Sequence, residues 1–131
     1  MVEAREFFAG SILTDPANAE VRENFPLLAR DEQVVQLCNI EALEQLRLAE
    51  GDFEPDALVG YAFGDLSVNQ TVLDAEGGAF RSRGAWFHLR YHCAVSADVT
   101  AVSGFAYAIG DEVPESQWEE HFLNGSDEGL D

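Results

Sequence analysis

Six side chains in one short stretch could do chemistry together: Arg81, Arg83, Trp86, His88, Arg90 and His92. Guanidinium groups hold carboxylate, phosphate or sulfate through paired N–H donors, and an indole with two imidazoles adds stacking and hydrogen bonds. The set therefore predicts a fork-shaped anion site. The surrounding segment, residues 77–97, reads GGAFRSRGAWFHLRYHCAVSA and contains no Asp or Glu. That is unusual in a chain of 131 residues with 25 acids, seven Arg, no Lys and a formal net charge of -18. The same acidic excess offers each arginine an internal partner, from the long helix or the 111–120 segment, so internal pairing is the competing expectation. A third possibility is a small enzyme acting on an anionic substrate, with His88 or His92 as general acid or base. That requires a deep pocket and a carboxylate holding the ring.

Other chemistry is excluded or unsupported by spacing. His88 and His92 form H-x-x-x-H, but on a strand four residues span about 13 Å, too far for two ligands at roughly 2 Å from one zinc ion. No metal and no cofactor is therefore expected, and His121 is isolated. No G-x-S-x-G, phosphate-binding loop or dinucleotide glycine pattern occurs, and Gly77-Gly78 is a lone pair. Cys38 and Cys93 are not spaced for redox catalysis. A disulfide between them and two buried free thiols are both compatible with their positions.

The charge balance bears on partners. A sequence pI near 4.2 repels phosphate backbones and anionic lipid, which argues against nucleic acid. No run approaches the roughly 18 apolar residues of a membrane span, so direct membrane insertion is not expected. The N-terminus carries both signs of charge and lacks the apolar core of a signal peptide, which suits a cytoplasmic protein or a mature, trimmed form.

The elements that must position these residues follow from periodicity. Helical spacing covers residues 2–13, and Asp15-Pro16 then caps a short helix running to about Asn24. The longest helical pattern spans about 30–50. Val34, Cys38, Ala42 and Leu46 fall on its core face, Glu32, Gln36, Glu41, Glu44, Gln45 and Arg47 face water, and Gly51 ends it. Period-2 patterns predict strands at about 58–63, 67–73, 79–83, 85–95 and 100–109, with a turn at 74–78 and a bend at Gly84. Arg81 and Arg83 then share one face. In 85–95 the odd positions are core, with Cys93 central, while Trp86, His88, Arg90 and His92 form the other face. A 96–100 loop pairs Cys93 with Ser103, Tyr91 with Phe105 and Leu89 with Tyr107. Gly104, Ala106 and Ala108 then lie beside His92, Arg90 and His88, leaving an open trough. Pro114 starts a last helix, with Trp118 and Phe122 pinning it to the body.

Three stretches, QLCNIEALEQL at 36–46, GGAFRSRGAWFHLRYHC at 77–93 and GFAYAIGDEVPESQW at 104–118, resemble a bacterial family classed only as a domain of unknown function, number nine-thirty. The resemblance transfers no catalytic or ligand residues. It implies a cell-envelope setting in Gram-negative bacteria, C-terminal to a signal or membrane anchor, and that setting favours the Cys38–Cys93 disulfide over free thiols. The chain departs from the pattern at Glu115-Ser116, where a basic residue is expected.

The expected fold is α+β: N-terminal helices packed on an antiparallel sheet of about five strands, with a short C-terminal helix. One domain covers 1–123, with helices in about 2–50, the sheet in about 57–110, the last helix at about 114–122, and a flexible acidic tail over 124–131. The expected function is a non-catalytic binding or interaction domain, periplasmic or otherwise in the cell envelope, taking an unidentified protein or a small anionic ligand. The small enzyme, a purely structural domain and a cytoplasmic location are the alternatives.

Overall fold

A computed structural model of the chain describes residues 1–49 and 51–124; within it, the fold is α+β, built on a six-stranded antiparallel sheet. The strands are β1 (Val2–Glu3), β2 (Pro55–Val59), β3 (Ser67–Asn69), β4 (Val72–Ser82), β5 (Ala85–Val95) and β6 (Val102–Glu112). Their spatial order is β1-β6-β5-β4-β2, and β3 also pairs with β4, in line with β2 along the same edge. The helices are α1 (Ala9–Thr14), α2 (Ala19–Asn24) and α3 (Arg30–Leu48).

The sheet has six strands rather than about five because Val2–Glu3, expected within a helix, pairs with Tyr107 and Ala106 of β6. The helix expected over 2–13 is thereby shortened to α1. Glu41 of α3 fixes this arrangement: its carboxylate accepts from the backbone N–H groups of Phe8 at 2.8 Å and Ala9 at 3.0 Å, and from Gln45 Nε2 at 2.7 Å. Gln45 also donates to the Glu6 carbonyl at 2.7 Å. Glu41 and Gln45 are therefore buried, at 0% and 9% exposure, and not on the water face. A carboxylate is tolerated there because backbone and side-chain donors replace its hydration.

On the apolar side of α3, Val34, Leu37, Cys38, Ala42 and Leu46 join Leu73, Phe80, Leu89, Tyr91 and Phe105 of the sheet in the main core. Cys38 and Cys93 form a disulfide across this layer. The Tyr91 hydroxyl donates to Asn39 Oδ1 at 3.0 Å, and burial raises the phenol's pKa well above its usual range.

Three features of the sheet differ from the periodicity reading. Residues 74–78 are not a turn: β4 runs through them and absorbs one extra residue between Ala75 and Gly78 as a bulge. The reversal lies earlier, at Gln70-Thr71, with Gln70 at φ 59. The strand expected over 58–63 stops at Val59, and the chain then turns, with Phe63 N–H bonding the Gly77 carbonyl at 2.7 Å. Third, Cys93 pairs with Phe105, Tyr91 with Tyr107 and Leu89 with Ile109, two residues beyond the expected register. Val99, buried with φ 55, closes the loop on Ser96, whose hydroxyl accepts from the Thr100 and Ala101 amides, so pairing resumes at Val95–Val102. An even shift keeps every side chain on its face.

The C-terminal segment is two 3-10 turns, Glu115–Gln117 and Glu119–His121, in place of a helix. Phe122 then adopts a left-handed conformation, and Leu123, not Phe122, enters the body with Val113 and Trp118. Of the expected tail, residues 125–131 lie outside the described residues.

Candidate functional site

The six candidate residues do not form one open cluster. β5 places Trp86, His88, Arg90 and His92 on the face opposite Cys93, as an eleven-residue strand with alternating burial must. The end of that face nearest the Arg83-Gly84 turn is covered by residues 113–124. There Trp86 and Arg81 are 2% and 3% exposed. Arg81 Nε donates to Asp56 Oδ1 at 2.7 Å and its Nη1 to the Asn124 carbonyl at 3.0 Å. Trp86 Nε1 donates to the same carbonyl at 2.8 Å, and the guanidinium carbon stands 5.8 Å from the indole centroid. Arg81 and Trp86 are thus internal, clasping the C-terminal segment.

Arg83 does not share a face with Arg81. With Gly84 it forms the two-residue β4–β5 turn, at φ 53 and 80, the backbone that a right-twisted hairpin favours. Its exposed guanidinium pairs with Asp52 at 3.2 Å and Glu54 at 3.3 Å.

His88 is half-buried. Its ring lies 4.4 Å from that of Phe63, which stacks on His121 at 3.9 Å on its other side. His121, set aside as isolated, is held by the Ala62 carbonyl at 2.8 Å through Nδ1. That carbonyl can only accept, so Nδ1 carries the proton.

Arg90 and His92 remain on the open part. The β4 bulge turns Glu76 toward them, with Glu76 at 3.7 Å from Arg90 Nε and 3.2 Å from His92 Nε2, while Asp74 bonds His92 Nδ1. On the other side β6 presents only small residues. Ala106 pairs with His92, Ala108 with Arg90, and Gly104 with Ala94, each two residues from the expected partner. An added Cβ at Gly110 would stand 2.9 Å from the His88 Cβ, so glycine there is what lets β6 lie against His88. The result is a hollow of about 230 Å³ bordered by Glu76, Gly78, His88, Arg90, Ala108 and Gly110. A second, of about 370 Å³, is lined by residues including Glu3, Phe7, His92 and Ala106.

Both His92 nitrogens face carboxylates, Asp74 at Nδ1 and Glu76 at Nε2, so the ring is held in place from both sides. Arg90 differs: among the described residues its one carboxylate neighbour, Glu76, sits near the limit of an ion pair, and its side chain is 51% exposed. Among the described residues, no group of three or more His, Cys, Asp or Glu is placed to hold a metal ion.

Asp74 and Glu76, expected in a turn, instead hold His92, and Arg81 is neutralised by Asp56 and hydrogen-bonded by the Asn124 carbonyl, neither of which the sequence pattern marks. A glycine pair inside a strand pattern marks a bulge as readily as a turn, and that signal was present at Gly77-Gly78.

A family model described as Domain of Unknown Function (DUF930) matches residues 26–123. The match contains α3, β2 to β6 and the C-terminal turns, with the Cys38–Cys93 bridge, and excludes β1, α1 and α2. No curated protein and no solved structure matches the chain.

Proposed function

Because this chain belongs to the DUF930 family, whose description names no activity, we propose its function from geometry: a non-catalytic binding module whose recognition surface is the open β5–β6 trough. Residues 1–123 act as one folding unit that presents it. The observation that carries this reading is Arg90, whose half-exposed side chain lies beside a 230 Å³ hollow with, among the described residues, a single carboxylate at 3.7 Å. A ligand carboxylate, phosphate or sulfate could take the remaining donors in bidentate form, with His88 at the border and small β6 residues leaving room. Trp86, Arg81 and Arg83 drop out of the ligand set, since their polar groups are engaged within the fold.

The enzyme alternative is weakened by His92. A carboxylate does hold the ring, as a general base needs, but two carboxylates occupy both nitrogens. The purely structural alternative accounts for Arg81 and Arg83, whose carboxylate contacts are 2.7–3.3 Å, better than for Arg90, whose contact with Glu76 is 3.7 Å. The disulfide supports a periplasmic or other cell-envelope location, because oxidised bridges persist in such compartments. Thiol trapping in a bacterial host that separates the two compartments tests it.

The functional test is an NMR shift titration with acetate, phosphate, sulfate and an acidic glycan at low salt. Saturable shifts at Arg90, His88 and Ala108, lost in Arg90→Ala and kept in Arg83→Ala, support the trough. No saturable shift, or shifts that survive Arg90→Ala, refute it.

A further inference from the structure

A second surface carries the opposite charge preference. Phe122 sits at the left-handed residue that ends the C-terminal turns, φ 66, where Leu123 N–H bonds the Trp118 carbonyl at 2.9 Å and Phe122 N–H the Glu119 carbonyl at 3.4 Å. Glycine is the residue that suits this capping position, and a bulky aromatic there is strained. The strain gains no burial for the ring: Phe122 is 63% exposed and lies 5.7 Å from the ring of Tyr61, itself 54% exposed, at 59°. An aromatic corner is thus held in water by a backbone that a smaller residue would adopt more easily. Strained, exposed side chains of this kind are a signature of recognition sites.

The charge around the corner indicates what fits it. Phe122 belongs to segment 110–124, which contains five carboxylates and no Lys or Arg, and Tyr61 to segment 52–66, where Asp52, Glu54 and Asp56 already pair with Arg83 and Arg81 and Asp65 adds a further carboxylate. Glu119 and Glu120, immediately before Phe122, are exposed. Ring faces attract guanidinium and ammonium groups, and surrounding carboxylates draw them in from a distance. A second copy of so acidic a chain would bring like charges together. We propose that the Tyr61–Phe122 corner is a docking site for an arginine- or lysine-bearing segment of a partner protein. Arginine is the better occupant, since its planar head can stack on one ring while its N–H groups reach the carboxylates.

The test uses the whole chain with hexa-arginine amide as probe, at near-physiological salt, in wild type, Tyr61→Ala and Phe122→Gly. Neither substitution alters net charge, so diffuse attraction to an acidic protein is the same in all three. The expected result is saturable binding with shifts at Tyr61 and 119–123, weakened about three- to tenfold in each variant. Phe122→Gly is expected to melt at or above the wild-type temperature, because the left-handed position suits glycine. Equal affinity in all three proteins overturns the proposal, leaving only diffuse charge attraction. A clearly lower melting temperature for Phe122→Gly also overturns it, by making the ring a structural part. So does a wild-type dimer that Phe122→Gly dissociates, since the occupant is then a second copy.

Discussion

Removing the Glu41 carboxylate should loosen the whole N-terminal segment. The group is fully buried and accepts from Phe8 and Ala9 amides and from Gln45. Hydrogen bonds to a charged group contribute about 1.5–3 kcal/mol each, and a buried donor left without a partner costs about 1–3 kcal/mol. In Glu41→Ala the Ala9 amide is stranded in the core, while that of half-buried Phe8 can reach water. Gln45 keeps the Glu6 carbonyl. Weighing one full orphan and one partial one, Glu41→Ala should cost about 3 kcal/mol, a large share of the roughly 5–15 kcal/mol that holds a domain. Glu41→Gln keeps an acceptor for both amides but sets its NH₂ against that of Gln45, which cannot flip without turning its own oxygen onto the Glu6 carbonyl. The smaller loss of about 1–2 kcal/mol follows. The assay is urea unfolding of the three proteins, with hydrogen exchange read at Phe8 and Ala9. If the segment detaches before global unfolding, Glu41→Ala will also show a lower m value, since less surface remains to be exposed. Both variants within 0.5 kcal/mol of wild type, with the two amides equally protected, would refute the reasoning.

Three further expectations concern other parts of the fold. Reducing the Cys38–Cys93 bridge, or replacing both residues by Ser, should cost about 4 kcal/mol on the loop-closure model for a separation of 55, measured as the shift in urea midpoint with and without reductant. Arg81→Ala should cost about 2 kcal/mol, below the usual figure for breaking a buried pair because Asp56 is half-exposed, whereas Arg83→Ala should change stability by less than 0.5 kcal/mol; thermal melts of the two variants separate them. The raised pKa of Tyr91 means that the unfolded chain releases this proton first as pH rises, so its contribution is intact below about 10, the unfolded tyrosine value, and is lost above it. Tyr91→Phe should flatten the alkaline fall in stability measured by urea titration between pH 9 and 11.

The strongest period-2 pattern, residues 85–95, reads correctly in both extent and faces, because a strand buried on one side must alternate. The core side of α3 is equally legible. Its other side is not: periodicity says that Glu41 and Gln45 oppose Leu46, but not that residues 4–9 lie across them. The hairpin pairing differs by two positions for two reasons: the loop, with apolar Val99 in a left-handed position that residue preference disfavours, ends at Val95–Val102 and adds one, and a bulge between Ala94 and Val95 adds the other. For the site, the even face of β5 was apparent in the alternation. What divides it into a covered end and an open end is the C-terminal segment, whose path depends on Leu123 and the Asn124 carbonyl meeting Trp86 and Arg81. No local pattern encodes that meeting.

The order of the strands has a consequence for assembly. β4, β5 and β6 are consecutive in sequence and adjacent in space, joined by a two-residue turn and the short Ser96–Ala101 loop. Their pairing requires only local closure, which is fast. The Cys38–Cys93 bridge, by contrast, joins α3 to this meander across a separation of 55 positions. The local meander needs no bridge to set its register, and the disulfide acts as a seal that ties the long helix to it. A chain oxidised too early has no second cysteine pair with which to go astray, so its folding needs an oxidant but no disulfide shuffling.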